Sequence, residues 1–440
     1  MWDWKSRNHT GNGWTGHRSF VRAKHAAILL TFSLGFSGCH AQEPSQIHLS
    51  APSQPIPVSY FGLHIHRAGA ETWPQVSFGE WRLWDAEGTA WYNLEPQQGK
   101  WDWTRLDRDV ALAEQHHVRV ILTLGQSPPW ASSRPNDPPA WRPGGPAPPR
   151  DEENWRNYVR TVATRYKGRI HTYEVWNEPN LKMFYSGTRE QLVQLAKDAY
   201  QVLHEVDPTV VVVSPSVTGG YDVPWFSKYL DIGGGQYADV IGYHFYSSPK
   251  TPEAALDTIQ RVEAVMKAHG VNKPLWNTEA GYLIQSQFEA VKTENGSMSR
   301  LLTPDEGVAY VMESYALNWA AGVSRLYWYD WDSNRMGLGD NLGKQAKPAA
   351  AGYEAIRQWL LGGVMTGCDK DAQGNWSCGL TQGVRREWIV WNADRSGSIA
   401  IPSSWSVTMA TTLSGAGVSS TSKLSGSRTL SVSGIPTLLQ

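Results

Sequence analysis

Two glutamates occupy positions where a pair of carboxyl groups can act on one bond. Glu178 lies in the segment Tyr173–Asn180 and Glu279 in the segment Pro274–Tyr282, and each follows a short apolar run that predicts a buried strand. Two carboxyl groups that flank a glycosidic bond divide its hydrolysis: one protonates the departing oxygen, and the other attacks the anomeric carbon or activates water. A single glutamate is more often a surface or salt-bridged carboxylate, but two at strand ends beside Asn and aromatic residues favour the paired chemistry. Glu174 receives no role.

The elements that must position this pair alternate along the chain. Short apolar runs predict eight strands, at Val58–His64, Glu80–Asp85, Arg119–Leu124, His171–Trp176, Val210–Ser214, Asp239–Phe245, Pro274–Thr278 and Ser324–Tyr329. Amphipathic patterns predict helices at Leu106–His116, Asn154–Tyr166, Glu190–Val206, Pro252–His269, Pro304–Ala321 and Pro348–Leu360. This alternation predicts an α/β fold, a (β/α)8 TIM barrel over residues 57–361. An open doubly wound sheet is the rival, but no Gly-rich phosphate-binding turn follows the first strand.

The barrel prediction also places the two glutamates. Active sites of such barrels lie at the C-terminal ends of the strands. Glu178 ends the fourth predicted strand and Glu279 the seventh. We therefore expect the two carboxyl groups to face each other across the mouth of the barrel.

The two ends of the chain differ from the barrel. Residues 362–440 are rich in Ser, Thr and Gly and predict a smaller all-β, sandwich-like accessory module, and residues 40–56 form an extended segment that can add a strand to it. The strands expected in the module are Glu387–Trp391, Ser398–Ile401, Val407–Leu413 and Leu430–Val432. Cys368 and Cys378 flank a turn and predict a disulfide in an oxidising compartment, with two free thiols as the alternative.

Residues 1–39 have the pattern of an export leader. A basic stretch precedes the apolar run Ala26–Phe36, which is too short to span a bilayer. The run ends in Phe36–Cys39, similar to a bacterial lipobox, so we expect Cys39 to carry lipid and to anchor a periplasmic lipoprotein to the membrane. Cleavage after Ala41, giving a secreted protein, is the alternative, and a translation start nearer Val21 would shorten the leader. Both alternatives predict export.

Composition excludes several classes of function. The 440 residues carry 40 Lys and Arg against 41 Asp and Glu, so no basic surface is expected for nucleic acid. The 23 tryptophans serve either as packing or as flat faces for sugar rings. No metal-binding HExxH, phosphate-binding loop or Gly-x-Ser-x-Gly elbow occurs, so we predict no metal and no cofactor. A monomer is expected.

Several motifs together resemble a known family. Trp176-Asn177-Glu178-Pro179-Asn180-Leu181, followed by Phe184-Tyr185, resembles the acid/base signature of clan A glycoside hydrolases and is most similar to glycoside hydrolase family 39. Thr278-Glu279 resembles the family's nucleophile motif, and Pro128–Ser132 and Tyr243–Tyr246 also match its pattern. The likeness extends over Val58–Leu361. The leader and Ala280-Gly281-Tyr282 after Glu279 are similar to the branch acting on bacterial exopolysaccharides, the Psl-type matrix hydrolases.

The resemblance implies a role for each matched residue. Glu178 would be the general acid and then the general base, and Glu279 the nucleophile of a covalent double displacement. Asn177 would bind the sugar 2-hydroxyl, Tyr246 would donate a hydrogen bond to Glu279, and Arg82 would stabilise the charge of Glu279. Other residues expected to bind substrate are His244 and the aromatic residues at strand ends, Trp130, Tyr185, Tyr282, Trp328 and Trp331.

Three functions remain open from sequence. The first is a retaining, endo-acting glycosidase of an exported or biofilm-matrix polysaccharide. The second is an exo-acting β-xylosidase-like enzyme of the same family. The third is a sugar-binding barrel without catalysis, which the intact pair Glu178 and Glu279 disfavours. Endo and exo action differ in whether the loops leave an open groove or a closed pocket.

Overall fold

The computed structural model describes residues 47–69, 71–138, 142–287, 300–424 and 428–440. The leader and Cys39 lie outside these residues, so their expected export and lipidation remain predictions.

One sheet of parallel strands carries the site. A short strand, β1 (Ile47–Leu49), comes first in the chain. The strands that follow are β2 (Phe61–His64), β3 (Glu80–Leu83), β4 (Arg119–Leu124), β5 (Thr172–Val175), β6 (Val211–Val213), β7 (Val217–Thr218), β8 (Ile241–His244), β9 (Leu275–Ala280), the two-residue pair β10 (Leu283–Ile284) and β11 (Leu301–Leu302), and β12 (Val323–Trp328). Apart from β10 and β11, those after β1 pair in the order β6-β5-β4-β3-β2-β12-β9-β8-β7.

The sheet curls until its two ends meet. The backbone N–H of Asp239 donates to Val212 O at 2.7 Å, and that of Ser214 donates to Val240 O at 2.9 Å. These bonds join β6 to the start of β8. The short strands β6 and β7 therefore share one of the eight strand positions of the barrel. The curled parallel sheet agrees with the barrel expected from the sequence.

Helices connect most of these strands. They are α1 (Trp91–Leu94), α2 (Thr104–Gln115), α3 (Glu152–Arg165), α4 (Arg189–Val206), α5 (Val223–Asp231), α6 (Ala254–Ala268), α7 (Pro304–Ala320) and α8 (Pro348–Leu360). Capping boxes begin α4 at Thr188 and α7 at Thr303, where each threonine hydroxyl accepts the N–H of the residue three positions on. The six predicted helices correspond to α2, α3, α4, α6, α7 and α8. The sequence prediction missed two helices, the four-residue α1 and the nine-residue α5, which lies between two Gly-rich turns.

The C-terminal region forms an antiparallel β module. Its strands are β13 (Val364–Lys370), β14 (Asn375–Gln382), β15 (Arg385–Asn392), β16 (Ser396–Ala400), β17 (Met409–Leu413), β18 (Ser419–Lys423), β19 (Thr429–Ser433) and β20 (Thr437–Leu439). The main sheet has the order β1-β13-β14-β15-β20-β17-β18, and β16 pairs with β19. The N-terminal extended segment thus contributes β1, as expected. Cys368 and Cys378 face each other on β13 and β14 and are disulfide-bonded.

The tryptophans are mainly packing residues. Among the described residues, the fully buried ones are Trp81, Trp91, Trp155, Trp176, Trp319, Trp328, Trp331, Trp376 and Trp391. One core cluster runs from the barrel into the β module, so the two regions share their packing. None of the helices in the described part of the chain combines the length and hydrophobicity that a membrane span requires.

Candidate active site

The two predicted glutamates meet at the C-terminal ends of the barrel strands. Glu279 lies within β9, and Glu178 follows β5 by three residues. A carboxylate oxygen of Glu178, a ring nitrogen of His244 and a carboxylate oxygen of Glu279 all lie within 4.8 Å of one another. Both glutamates are 7% exposed, so each carboxyl group is largely shielded from water and yet accessible.

Arg82 is the cation of the site. Its fully buried guanidinium donates from Nη1 to Glu279 Oε2 at 2.8 Å and from Nη2 to Asn177 Oδ1 at 2.7 Å. Its Nε donates to Glu174 Oε2 at 2.8 Å. Arg82 therefore holds the nucleophile candidate, as predicted, and also orients the amide of Asn177.

Glu174 is a residue of the site that the sequence analysis left without a role. It is fully buried and, besides Arg82, accepts hydrogen bonds from Thr123 Oγ1 at 2.7 Å and Ser216 Oγ at 2.6 Å. These bonds satisfy the carboxylate and make it a fixed counter-ion for Arg82. A signal was present: Thr172, Glu174 and Trp176 alternate onto one face of the strand, and a charge inside a barrel requires a partner.

The backbone at Glu178 bends sharply. Trp176 and Glu178 have φ values of 63° and 41°, in the left-handed region that costs free energy for residues other than glycine. The N–H of Glu178 donates to Ser216 O at 2.9 Å, which supports this conformation from the neighbouring strand position. The bend turns the Glu178 side chain towards His244, whose Nδ1 lies 2.9 Å from Glu178 Oε1.

The two glutamates differ in the groups that donate hydrogen bonds to them, and Glu279 is the one that accepts from the charged Arg82. Burial raises the pKa of Glu178 to about 7, and only weaker effects of Thr218 and Arg82 oppose the rise. Burial also raises the pKa of Glu279 to about 7, but Glu279 accepts hydrogen bonds from Arg82 and, at 2.8 Å, from the Tyr246 hydroxyl. Both donors stabilise a carboxylate, so Glu279 is the member of the pair that ionises first. Its charge then favours the proton on Glu178.

His244 is a neutral member of this group. Burial lowers its pKa to about 4, so the imidazole is uncharged at neutral pH. Its Nε2 is buried and has no hydrogen-bond partner among the described residues. Because His244 is fully buried, its described side-chain contact is the one with Glu178, and its substrate-binding role stays a prediction.

Comparisons with known proteins find a family match over the region that contains the two glutamates. The family model for glycosyl hydrolases family 39 matches residues 86–293, a range that contains Glu178 and Glu279. Over this range the chain is similar to glycoside hydrolase family 39. A β-xylosidase of Geobacillus stearothermophilus is 26% identical over 158 residues, which cover 34% of this chain and 31% of the relative. The chain thus matches about a third of that curated relative's length.

Solved structures of similar fold cover most of the chain. A family 39 glycoside hydrolase from Bacteroides cellulosilyticus superposes with a TM-score of 0.67 at 18% identity, over 87% of this chain and 80% of that one. A monomeric β-xylosidase from Caulobacter crescentus superposes with a TM-score of 0.61 at 16% identity, over 89% and 97%. At these identities the superpositions support the fold alone.

Four of the five aromatic rings predicted to stack on sugars are buried in the core. The exposed fractions of Tyr185, Tyr282, Trp328 and Trp331 are 2% or less. Trp331 donates from Nε1 to Gly343 O at 3.0 Å, and the hydroxyls of Tyr282 and Ser247 are bonded at 2.5 Å. The prediction of sugar stacking is therefore wrong for these four, because their rings pack inside the core, with ring centres 5.1 Å apart for Tyr185 and Trp176 and 4.9 Å apart for Tyr282 and Tyr310. Trp130 is half-buried and remains a candidate, although its Nε1 donates to Glu95 O.

A second cluster of ionisable groups is centred on His66, near the two glutamates. His66 Nε2 is 3.1 Å from Asp85 Oδ1, and His66 Nδ1 is 3.0 Å from Asp330 Oδ2 and 3.1 Å from Asp332 Oδ1. Burial alone would lower the pKa of His66, but the three carboxylates raise it well above its ordinary value. Although His66, Asp330 and Asp332 are close enough to share a cation, an imidazolium that donates from both nitrogens cannot ligate one. Metal-independent chemistry stays a prediction.

Proposed function

We propose that this protein is a retaining glycoside hydrolase with Glu178 as acid/base and Glu279 as nucleophile. The observation that carries the proposal is the unequal environment of two close carboxyl groups, since Arg82 and Tyr246 both bind Glu279. Retaining enzymes place their carboxyl groups about 5–5.5 Å apart, and inverting ones about 6.5–9.5 Å apart. Side-chain oxygens within 4.8 Å of each other support the shorter spacing.

The reaction has two steps. Glu279 attacks the anomeric carbon while Glu178 gives its proton to the departing oxygen, which breaks the glycosidic bond and leaves a glycosyl ester on Glu279. The Glu178 carboxylate then takes a proton from water, whose oxygen attacks the same carbon and releases Glu279. Asn177, fixed by Arg82, would bind the 2-hydroxyl during both steps.

The test uses an activated aryl glycoside with azide as an external nucleophile. Glu178→Ala should still form the ester when the leaving group needs no proton, and azide should then give a glycosyl azide of retained configuration. Glu279→Ala should give the inverted azide, because azide then attacks from the vacated side. Release of inverted sugar by the unmodified protein, seen by NMR, would exclude the covalent mechanism.

We further propose endo action on an exported or biofilm-matrix polysaccharide. The support is the export leader and the resemblance to the exopolysaccharide branch of family 39. Exo action of the β-xylosidase type is the second candidate, favoured by relatives described as β-xylosidases. Sizing the products distinguishes them: endo cleavage lowers polymer length from the first turnovers, whereas exo cleavage releases monosaccharide while the polymer stays long.

We propose that the protein acts as a monomer, like the structural relative described as monomeric. We also propose that Cys39 tethers the exported protein to a membrane through lipid. A fatty-acid probe should label the unmodified protein and not Cys39→Ser. Absence of label on both would favour cleavage after Ala41 instead. Neither outcome bears on the chemistry of the barrel.

A further inference from the structure

One end of the β module is basic. It is the end at which the β14–β15 hairpin turns, and its exposed cations are Arg385, Arg386, Lys423 and Arg428. We call these four residues, together with Val384 of the turn, the basic tip. The acidic side chain of this end, among the described residues of the module, is Glu387, which is 3% exposed and accepts a hydrogen bond from Gln440 Nε2 at 3.0 Å. The surface of the basic tip is therefore positively charged.

The pairing of the strands brings these cations together from separate segments. Arg385 and Arg386 begin β15, and Lys423 ends β18 opposite Met409, the first residue of β17. The backbone N–H of Ile401, just after β16, donates to Arg428 O at 2.6 Å. Antiparallel neighbours run in opposite directions, so the start of one strand lies beside the end of the next. The other acidic residues of the module lie at its opposite end and are Asp369, Asp371 and Asp394.

The basic tip lies on the side of the molecule away from the active-site face. Gln382, the last residue of β14, donates from Nε2 to Trp359 O at 2.9 Å. Trp359 is near the end of α8, which follows β12 and returns from the C-terminal ends of the strands to the other face of the barrel. A surface that held the basic tip would therefore leave Glu178 and Glu279 facing away from it.

The basic tip also carries an apolar contact. Val384 is 100% exposed in a two-residue hairpin turn, where Asn, Asp or Gly is usual. Trp388 follows Arg386 by two residues on the same face of β15, and its ring centre lies 4.6 Å from that of Trp405 in a stacked pair. Exposed apolar and half-buried aromatic side chains beside cations are typical of surfaces that enter a lipid interface. An anionic polymer could pair with the cations but would leave Val384 uncovered.

The length of the N-terminal segment is compatible with this contact. Seven residues, 40–46, separate Cys39 from β1, and a chain of that length spans at most about 25 Å. β1 begins opposite Lys370, at the end of β13 that is distant from the basic tip. The seven residues of β13 span about 20 Å. A lipid on Cys39 could therefore reach the same bilayer that the basic tip touches.

We propose that the basic tip docks on an anionic lipid surface, with its four cations at the phosphate groups and Val384 inserted between the lipids. The docked protein presents its active-site face away from the bilayer. This contact is independent of the proposed glycosidase chemistry and acts in addition to the lipid proposed at Cys39.

The first experiment measures binding to vesicles. The full chain with Cys39→Ser is sedimented with vesicles of phosphatidylethanolamine and phosphatidylglycerol, so that no covalent lipid contributes and every variant keeps the same leader. Arg385→Gln/Arg386→Gln should lower the binding constant by about 10- to 30-fold, because each cation near such a surface contributes about 5-fold. The matched control, Lys167→Gln/Lys228→Gln, removes two exposed charges from the barrel and should change binding by less than about 2-fold. No loss in the arginine pair, or an equal loss in the lysine pair, would overturn the proposal.

The second experiment places an environment-sensitive dye at the basic tip. Cys368 and Cys378 are disulfide-bonded, so Val384→Cys in the Cys39→Ser chain has a single free thiol. On the anionic vesicles, dye emission there should shift to shorter wavelength. The control is Val418→Cys, since Val418 is 65% exposed in the turn between β17 and β18 at the opposite end of the module, and its dye should not shift.

Two outcomes of the dye experiment would overturn the lipid assignment. One is an equal shift at both positions, which would mean that the vesicles do not select the basic tip. The other is no shift on vesicles together with binding of polygalacturonate, an anionic polysaccharide, that the arginine pair variant loses. Neither readout depends on hydrolysis, so failure here would leave the proposed glycosidase function untouched.

Discussion

At the scale of single residues, Arg82 binds both the nucleophile candidate Glu279 and a second carboxylate, Glu174. The two-step mechanism neutralises Glu279 when it becomes an ester, which would leave a buried guanidinium without a counter-ion. Glu174, held by Thr123 and Ser216, supplies a negative charge that does not react. Because an unpaired buried charge costs several kcal/mol, we infer that Glu174 keeps the site stable throughout the catalytic cycle.

Tyr246 should set the acid limb of the pH profile. Its hydroxyl donates to Glu279 Oε1 at 2.8 Å and so stabilises the carboxylate. In Tyr246→Phe the pKa of Glu279 should rise, because a hydrogen bond to the charged form is lost. The acid limb of kcat/KM should therefore move to higher pH, and activity at the optimum should fall by about 10-fold or more. A pH series from 4 to 9 measures both.

The alkaline limb provides an internal reference for that experiment. Glu178 must be protonated to act as acid, so activity should fall as pH rises through its pKa of about 7, and Tyr246→Phe should move this limb little. Tyr229→Phe is a matched control, since Tyr229 is buried in α5 away from the glutamates. An unchanged acid limb in Tyr246→Phe would contradict the assignment of Glu279 as the ionised group.

At the scale of elements, hydrogen bonds stabilise the loop Ser127–Arg150 after β4, of which residues 139–141 lie outside the described part of the chain. It contains nine prolines, which restrict φ and lower the entropy lost on ordering. Ser132 Oγ donates to Gly144 O at 2.7 Å, and the N–H of Arg150 donates to Ala131 O at 2.7 Å. These two hydrogen bonds connect the first part of the loop to its last part. In the segment Leu283–Thr303 after β9, residues 288–299 lie outside the described part of the chain; its Ser, Glu, Gln and Asn side chains lead us to predict a polar wall beside Glu279.

Shortening the loop should affect long substrates selectively. Deleting residues 135–143 spares Ser132 and Gly144 but removes Arg142, which lines a cavity between this loop and the loop after β3. We expect kcat/KM for oligosaccharides to fall about 10-fold, or roughly 1.4 kcal/mol, with little change for an aryl monoglycoside. A loss of the same size on both substrates would mean that the loop supports the fold and does not line the groove.

At the scale of the whole molecule, an ion pair between the half-buried Arg395 and the buried Glu313 joins the β module to the barrel. Arg395, between β15 and β16, donates from Nη1 to Glu313 Oε1 on α7 at 2.6 Å, and its guanidinium lies 4.5 Å from the centre of the Tyr310 ring. Glu313 is fully buried, and burial raises its pKa well above the ordinary value while Arg395 opposes the rise. The two regions are thus coupled by charge as well as by the shared core.

Arg395→Ala should destabilise the protein, and more so at higher pH. The variant leaves Glu313 buried without its cation, at a cost of about 3–5 kcal/mol when the carboxylate is charged. Its folded pKa then rises further, so the folded state favours the protonated form. Stability is retained below the unfolded pKa and lost as pH rises through the folded one.

Thermal unfolding at pH 5 and pH 8 measures this dependence. The deficit in Tm relative to the unmodified protein should be larger at pH 8. The double variant Arg395→Ala/Glu313→Gln should recover much of it, because no charge remains to be buried. A deficit equal at both pH values, or no recovery in the double variant, would show that Arg395 acts through packing with Tyr310 instead.

Local patterns in the sequence determined the barrel and its central pair. Strand and helix periodicities predicted the eight strand positions and six of the helices, since each depends on neighbouring residues only. The position of Glu178 and Glu279 at strand ends followed from the same pattern, because parallel strands bring their C-terminal ends to one face. Arg82, Asn177, His244 and Tyr246 were chosen by family resemblance, and the structure gathers them around the two glutamates.

Only the tertiary structure decided which of the remaining side chains reach the site. Tyr282, Trp328 and Trp331 lie at or just past strand ends, and Tyr185 follows β5 by ten residues, but all four rings are buried in the core. Glu174 gains its importance only when β3 brings Arg82 alongside it. In each case the decisive property is burial or contact between segments far apart in the chain, and no local pattern encodes which segments will meet.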